Sequence, residues 1–465
     1  MKRASLFYMV CLCLELVMGN AAGFSEEVLQ EKALSLKECI QIALKNRPEL
    51  EFSTLDIVQA EQQIKEATAY YFPRLNLALG YTYFNRPLEF NVDIDLTELK
   101  RQVQDPIIRD AIPDVLPQHF ETGKKDWFAW TVDLTQPVFT FGRIKEGISQ
   151  ARIGRSIAVN QKEKKKAEIT FEVKKSYYQF LLAKEIFQLL KEAEIGTDVV
   201  ARMVKIAYET AVPEKDEKGT TRLDYLKARN FHSEVKARLS EAGKNSKLAQ
   251  LAMQMAMGLY TDSSLKVTEV PLEGFPMNVL DFGELKGSTL EKNIDLKNIN
   301  LGVMFLDSKR KAASKEYFPK VGLFGNYVGP EDRFGNSNLW YAGIGLTMPL
   351  FDGFLTKAKV GQAEAQFQKV KGQKMLLESA LSAQVDHLHT TLLELKERAA
   401  ILRASLREAK ERTQLAADGY ASGITEYEEL LLAQKTELEM KANYLQGLFL
   451  FQMTKAEIEF ISGIQ

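Results

Sequence analysis

Arg74-Leu75-Asn76-Leu77-Ala78-Leu79-Gly80-Tyr81-Thr82-Tyr83 is the stretch on which the fold turns. Leu75, Leu77, Leu79, Tyr81 and Tyr83 fall on one face, and Asn76, Ala78, Gly80 and Thr82 on the other. Strict alternation predicts a strand with one apolar face and one small or polar face. Tyr71-Phe72-Pro73-Arg74-Leu75 leads into it, and Tyr317-Phe318-Pro319-Lys320-Val321 repeats that lead much later, with Leu323 and Tyr327 in the matching places. A second alternating run covers 128–136, where Phe128, Trp130, Val132 and Leu134 oppose Ala129, Thr131, Asp133 and Thr135. Pro137 is expected to end it. Its counterparts in the second half are strands at 321–328 and 340–348, the latter with Trp340, Ala342, Ile344 and Leu346 facing one way.

Long segments of helical period surround these strands. Ser35 to Thr68 reads as helix, with Leu36, Ile40, Ala43 and Leu44 on one stripe and Pro48 as a local breaker. From Val138 to Val212 there is no proline. About 65 helical residues would span roughly 100 Å, so coiled-coil-like packing is expected. The run breaks at 213–220, and a return helix covers about Thr221 to Met257. In the second half a helix is expected over Leu290 to Lys315 and a proline-free run over Leu355 to Ala417. A break at 419–425 follows, then a return helix to about Phe460.

The two halves are a duplication. Leu50, Ala67 and Pro73 match Leu296, Ala313 and Pro319 at one constant offset. Leu134-Thr135-Gln136-Pro137-Val138-Phe139 matches Leu346-Thr347-Met348-Pro349-Leu350-Phe351 at another. The offset changes because the first half carries a longer loop, 85–126, which shows little pattern and holds Pro87, Pro106, Pro113 and Pro117. The organisation is therefore a first repeat over 22–257, a linker over 258–289 with Pro271 and Pro276, and a second repeat over 290–465.

Met1-Lys2-Arg3, the apolar stretch from Ala4 to Met18, and Gly19-Asn20-Ala21 read as a secretory signal over 1–21. Val10 and Leu12 precede Cys11 and Cys13 where a lipidation signal calls for a small residue, so no lipid anchor is expected. Cys39 is then the lone cysteine of the mature chain, which excludes an internal disulfide and suits the periplasm or outer membrane. A formal net charge of −1 gives no sign of a nucleic-acid partner. No later apolar run reaches the roughly 18 residues of a spanning helix, so any membrane span must be β.

Four strands with an apolar outer face cannot close a barrel, and open edges cannot lie in lipid. Several chains must share one barrel: two would give eight strands filled by side chains, three would give twelve and room for a lumen. The small inward residues Ala78, Gly80, Thr82, Ala129, Gly343 and Gly345 favour an open interior. The alternative, an antiparallel sheet on a soluble core, leaves the aromatic ends of the apolar faces unexplained.

Three features together resemble the TolC-type outer-membrane efflux proteins. They are the Tyr-Phe-Pro-Arg/Lys lead, the Leu-Thr-x-Pro-Leu/Val-Phe strand end, and the segment from Gly423 to Gln434. The similarity covers nearly the whole mature chain. It implies a mainly α fold with a β-barrel part: a homotrimeric twelve-stranded transmembrane barrel, four strands per chain, continuous with a long periplasmic α-helical barrel. The linker and both termini would form a mixed girdle, and 85–126 would lie outside the cell. It implies a passive, gated exit duct of a tripartite efflux or type I secretion system. The partners would be a periplasmic adaptor protein, an inner-membrane transporter and outer-membrane lipid. No cofactor, metal or catalytic group is implied, and no Walker loop, zinc-protease helix or nucleophile elbow is present. The rival reading is a periplasmic coiled-coil adaptor or scaffold.

The resemblance also assigns site residues. Gly423-Ile424-Thr425-Glu426-Tyr427-Glu428-Glu429 resembles the family's periplasmic turn, with Gly219-Thr220-Thr221-Arg222-Leu223-Asp224 as its first-half counterpart. Thr221 with Asp224, and Thr425 with Glu428, have capping-box spacing. Gly219, Thr220, Thr221, Gly423, Ile424 and Thr425 are the expected adaptor and pump contacts. An acidic gate is implied just inside the return helix. Counting from Ala433 favours Glu429 and counting from the cap favours Glu428, with Leu432 one turn deeper and Asp224 as the first-half acid. Acids in a first helical turn also offset the dipole without any channel role. His387 and His389 sit on different helical faces, His119 and His232 show no evident partners, Lys162 to Lys166 reads as a solvated face, and Asp93 with Asp95 is a weak cation candidate.

Overall fold

The structure, a computed structural model, describes residues 34–86, 88–122, 125–210, 221–259, 270–279, 281–329 and 339–464. The signal segment 1–21, Gly219, Thr220 and the 330–338 loop lie outside them. The chain divides into two compact units. One comprises residues up to Pro48, Lys166–Gly287 and Gln384 onward; the other comprises Glu49–Lys165 and Ser288–Ala383.

The second unit holds the sheet. Its strands are β1 (Arg74–Tyr83), β4 (Asp126–Phe139), β5 (Lys320–Gly329) and β6 (Leu339–Thr347), antiparallel in the order β1-β4-β5-β6. Registers such as Leu77↔Val132, Val132↔Tyr327 and Tyr327↔Trp340 put the alternating apolar residues of all four strands on one face. That face is uncovered: Leu75, Leu77, Leu79, Tyr81, Ile344 and Leu346 are all exposed. β1 and β6 each have one unpaired edge among the described residues.

The expectation that Pro137 ends the strand is corrected. β4 continues to Phe139, with its register against β5 shifting between Pro137 and Phe139. Proline lacks an N–H to give to the ladder, and a bulge is where a strand absorbs that loss.

Residues 85–126 are not patternless either. Phe84 N–H donates to the Lys125 carbonyl at 2.9 Å, and beyond it β2 (Leu88–Asp95) pairs antiparallel with β3 (Val115–Thr122). The pairing advances by one residue between Tyr83↔Asp126 and Leu88↔Thr122, so the β1–β4 hairpin carries on as a second ladder. Two short helices, α3 (Thr97–Gln102) and α4 (Pro106–Ala111), join its far ends. Asp95 accepts the Thr97 N–H at 2.8 Å, and Asp105 accepts the Ile107 N–H at 2.9 Å with Pro106 at the first helical position, so each helix start is chemically marked.

The helices of this unit are α2 (Pro48–Ala69), α8 (Ile294–Ser314) and the unit's shares of α5 (Arg143–Thr210) and α9 (Leu355–Ala421). Glu146 on α5 accepts from Ser308 at 2.8 Å and from Lys315 at 2.7 Å. Arg310 on α8 reaches Glu364 on α9 at 3.1 Å, and Arg155 reaches Glu61 on α2 at 2.9 Å. The helix expected over Leu290 to Lys315 is two helices, α7 (Phe282–Lys292) and α8. Asn293 interrupts them, because its side-chain oxygen accepts the N–H groups of Asp295 and Leu296 and starts a new helix.

The other unit is helical. Ser35 opens α1 (Leu36–Asn46) through a capping box with Glu38, and Pro48 breaks the chain between α1 and α2. Arg47, at the break, bonds the Ala256 carbonyl and Glu172. Cys39 is fully buried, as are Tyr177 and Leu272. Tyr178 stacks edge-on against Phe275 of the linker at 5.3 Å, and Glu185 accepts the Leu272 N–H at 2.7 Å. α6 (Arg222–Ala256) and α10 (Tyr427–Ser462) return along this unit. α9 runs through Gly419 to Ala421 rather than stopping at 417, since one helical glycine costs only about 1 kcal/mol.

Candidate functional site

The candidate site is built where α5 and α9 end and α6 and α10 begin. Thr221 is the N-cap of α6: its hydroxyl accepts the Asp224 N–H at 3.2 Å, while Asp224 accepts the Thr221 N–H at 2.9 Å and its hydroxyl at 2.7 Å. The Asp224 carboxylate therefore serves the helix start.

The second turn is closed differently. Gly423 adopts φ +71°, the left-handed conformation that favours glycine. Its N–H donates to the Tyr420 carbonyl at 3.1 Å, and the Ile424 N–H donates to the Gly419 carbonyl at 2.8 Å. This bond pair is a Schellman motif ending α9. The expected Thr425–Glu428 capping box is absent. Glu426 is the N-cap of α10 and makes no side-chain capping bond, whereas the Thr425 N–H donates to Gly419 at 3.1 Å. The Schellman turn draws Thr425 back onto α9, and a Cβ on Gly419 would overlap its hydroxyl. Ile424 projects outward and is 82% exposed.

A small core holds the turn regions together. Tyr427, Val204 and Ala228 are buried in one cluster, with Tyr225 and Tyr420 against it. Ala416, Leu430 and Ala433 form another. Burial, then Tyr420 and Asp224, pushes the Tyr427 phenol well above its ordinary value, so it stays neutral.

The two candidate gate acids point to different neighbours. Glu428 accepts from Lys227 of α6 at 2.7 Å, and this bond raises the lysine pKa. Glu429 accepts from Arg412 of α9 at 3.1 Å through Nε and at 2.7 Å through Nη2. Adjacent helical residues lie about 100° apart, which explains the split. Both pairs are solvent-exposed, so water and salt weaken each of them. Glu429 and Arg412 line a cavity of about 400 Å³ with Glu408, Glu411, Leu415 and Thr425. Leu432 is half exposed one turn onward.

The partners of Lys227, Arg412, Gly419 and Tyr427 are not legible in the sequence. They lie across a turn or on another helix, and no local spacing signals such pairs. Two histidines expected to lack partners have them: His119 meets Asn91 at 2.8 Å and His232 meets Thr197 at 3.3 Å. Asp95 accepts the Thr97 N–H where α3 begins, and no cluster of metal-ligating side chains occurs among the described residues.

The small-residue face of the sheet also differs from expectation. By register it carries Asn76, Ala78, Gly80, Thr82, Ala129, Thr131 and Gly343, as anticipated, but also Phe324 and Tyr341. Both sit among glycines in sequence, and each is brought to this face by the same alternation that places Gly343 and Gly345 there.

A model of the outer membrane efflux protein family matches residues 39–259 and 285–461. No curated protein matches the chain by sequence. Among solved structures, CusC, described through conformational changes accompanying folding and transmembrane channel formation, is 16% identical with a TM-score of 0.75, covering 92% of this chain and 91% of that one. The outer membrane protein VceC from Vibrio cholerae is 15% identical with a TM-score of 0.71, covering 92% and 96%. The open-state outer membrane channel MtrE from Neisseria gonorrhoeae is 16% identical with a TM-score of 0.72, covering 92% and 88%. These likenesses concern the fold: long helices with a small antiparallel sheet. With the family match running over most of its length, the chain belongs to the outer membrane efflux protein family.

Proposed function

We propose that three copies of this chain close a twelve-stranded barrel in the outer membrane and form a passive, gated exit duct. The observation that carries this reading is the sheet itself. Among the described residues it is four strands wide, unpaired at β1 and β6, and uncovered on a continuous apolar face. Unpaired backbone groups are costly in hydrocarbon, so the edges must meet other strands, and copies of the same chain supply them. The small opposite face then lines the lumen. The family's efflux role makes an inner-membrane transporter and a periplasmic adaptor the natural partners, with the cell outer membrane as location and the helices in the periplasm. Energy comes from the transporter, and the duct does no chemistry. A scaffold or adaptor function has no observation in its favour, since it needs no lipid-facing strands.

The domain scheme follows: repeats over 22–257 and 290–465, with 258–289 as an equatorial linker. Gating acts at the turns carrying Thr221, Asp224, Gly423, Ile424 and Thr425, by helix shifts. Glu429 with Leu432 narrows the passage, and Glu428 holds α10 to α6. Arg412 offsets the Glu429 charge, so a ring of three such acids is a ring of ion pairs.

Cysteines placed on the free edges of β1 and β6 test the barrel. Oxidation should give a covalent trimer from detergent-extracted protein, and a monomer that stays soluble without detergent would overturn the reading. In planar bilayers Glu429→Ala should raise single-channel conductance. Unchanged conductance and ion selectivity would remove Glu429 from the gate.

A further inference from the structure

The face assigned to the lumen is uneven. Midway along β1 and β4 it presents Asn76, Ala78, Gly80, Ala129 and Thr131, which are small, with Trp127 placed by register opposite Thr82 at the far end. On β5 and β6 it presents Phe324 and Tyr341, 42% and 49% exposed, with Leu339 beyond them at 64%. Phe324 lies over two glycines: a Cβ on Gly343 would come within 2.9 Å of its ring, and one on Gly345 within 3.4 Å. Glycine at both places lets the ring lie flat on the sheet, with Tyr341 edge-on at 6.3 Å. The ring is thus a shelf set among small residues.

Asp133 stands one row away. The row Asn76–Asp133–Asn326–Tyr341 adjoins the row Arg74–Thr135–Phe324–Gly343, and Asp133 accepts a hydrogen bond from Asn326. Asp133 is the one acidic residue that register places on this face of the four strands. The basic residues there, Arg74 and Lys320, sit at the strand ends next to the helices, and Arg74 is held over the Tyr70 ring at 4.5 Å. A flat apolar surface beside an isolated carboxylate suits a molecule that is both planar and positively charged.

We propose that Phe324 and Tyr341, with Asp133 beside them, form a resting site for flat aromatic cations in passage. The site rests on the barrel reading above, and it names the class of cargo that the duct handles best. The ring gives stacking area and the carboxylate gives charge. Neither is strong enough alone to hold the cargo, which suits a conduit.

The test uses the full-length trimer in planar bilayers bathed in potassium chloride, with benzyltrimethylammonium and butyltrimethylammonium as probes. The two carry the same charge, and one has a flat ring. The aromatic cation should reduce the current at a concentration roughly 2- to 10-fold lower than the aliphatic one, as expected for one aromatic contact. Phe324→Leu, which keeps an apolar cover over both glycines, should erase that gap. Asp133→Asn should weaken both probes by a similar factor and leave the gap. Equal blocking concentrations in the wild type, or a gap that survives Phe324→Leu, would overturn the aromatic site while leaving the duct intact. Wild-type protein that passes no potassium current would bring down the duct itself, and this site with it.

Discussion

The two β-hairpins share a lead, a ten-residue first strand and an apolar face, yet differ in two places. β1–β4 continues past Tyr83 and Asp126 into the β2–β3 ladder with its two helices, while β5–β6 stops pairing at Val328↔Leu339 within the described residues. Their opposite faces differ too: midway along the strands the first carries Ala78, Gly80, Ala129 and Thr131, and the second carries Phe324 and Tyr341. The shared features are those the hydrocarbon demands: a fixed run of strand and a lipid-compatible face. In the barrel proposed above, no such demand applies beyond the hydrocarbon or inside the lumen, and those are the places where the two hairpins differ.

The largest expected effect tests that division of faces. Leu77→Arg should cost about 2–4 kcal/mol, whereas Ala78→Arg, one residue on, should cost less than about 1 kcal/mol. Urea titration of protein folded into lipid vesicles measures both. Equal costs would erase the distinction on which the barrel rests.

The helical turns offer a second contrast, since one is closed by a capping box and the other by a Schellman motif. Gly419→Ala should cost about 1–3 kcal/mol, because Thr425 must be pushed off α9. Thr221→Ala should cost about 1 kcal/mol and speed hydrogen exchange at the first amides of α6. Glu426→Ala, at the cap of α10, should change exchange little, as its side chain makes no capping bond. A large effect there would mean that the two turns are closed alike.

A smaller effect concerns pH. Burial opposes ionisation of Glu146, but Lys315 and Ser308 outweigh it and hold the carboxyl below its ordinary value of 4.5. A depressed carboxyl stabilises the fold above the unfolded value and loses that contribution as pH falls through the folded one. The stability difference between wild type and Glu146→Gln should therefore shrink below about pH 4.5. The smallest effect is a silence. Burial, then Glu38, pushes the Cys39 thiol up to about 11, so native protein should resist thiol reagents at neutral pH, and rapid labelling would show that this helical unit opens.

Much of this was legible beforehand. β1 matches its expected bounds, and the long helices end within a few residues of the proline and glycine breaks. The alternation of β2 is present in the sequence, with Leu88, Phe90, Val92 and Ile94 set between Glu89, Asn91, Asp93 and Asp95, but the prolines around it hide a strand signal. At the candidate site, Thr221–Asp224 could be read because a capping box is local. Arg412–Glu429 and Lys227–Glu428 could not, because each joins residues on separate helices.

The sequence by itself determined the alternation of strand faces, the breaks between the long helices and the Thr221–Asp224 cap, since each depends on residues within a few positions of one another. Tertiary structure alone decided which carboxylate meets which cation, that Thr425 folds back on Gly419, and that Phe324 lies flat over Gly343 and Gly345. Those outcomes depend on how separate elements come to face each other, and no spacing along the chain encodes a distance across it.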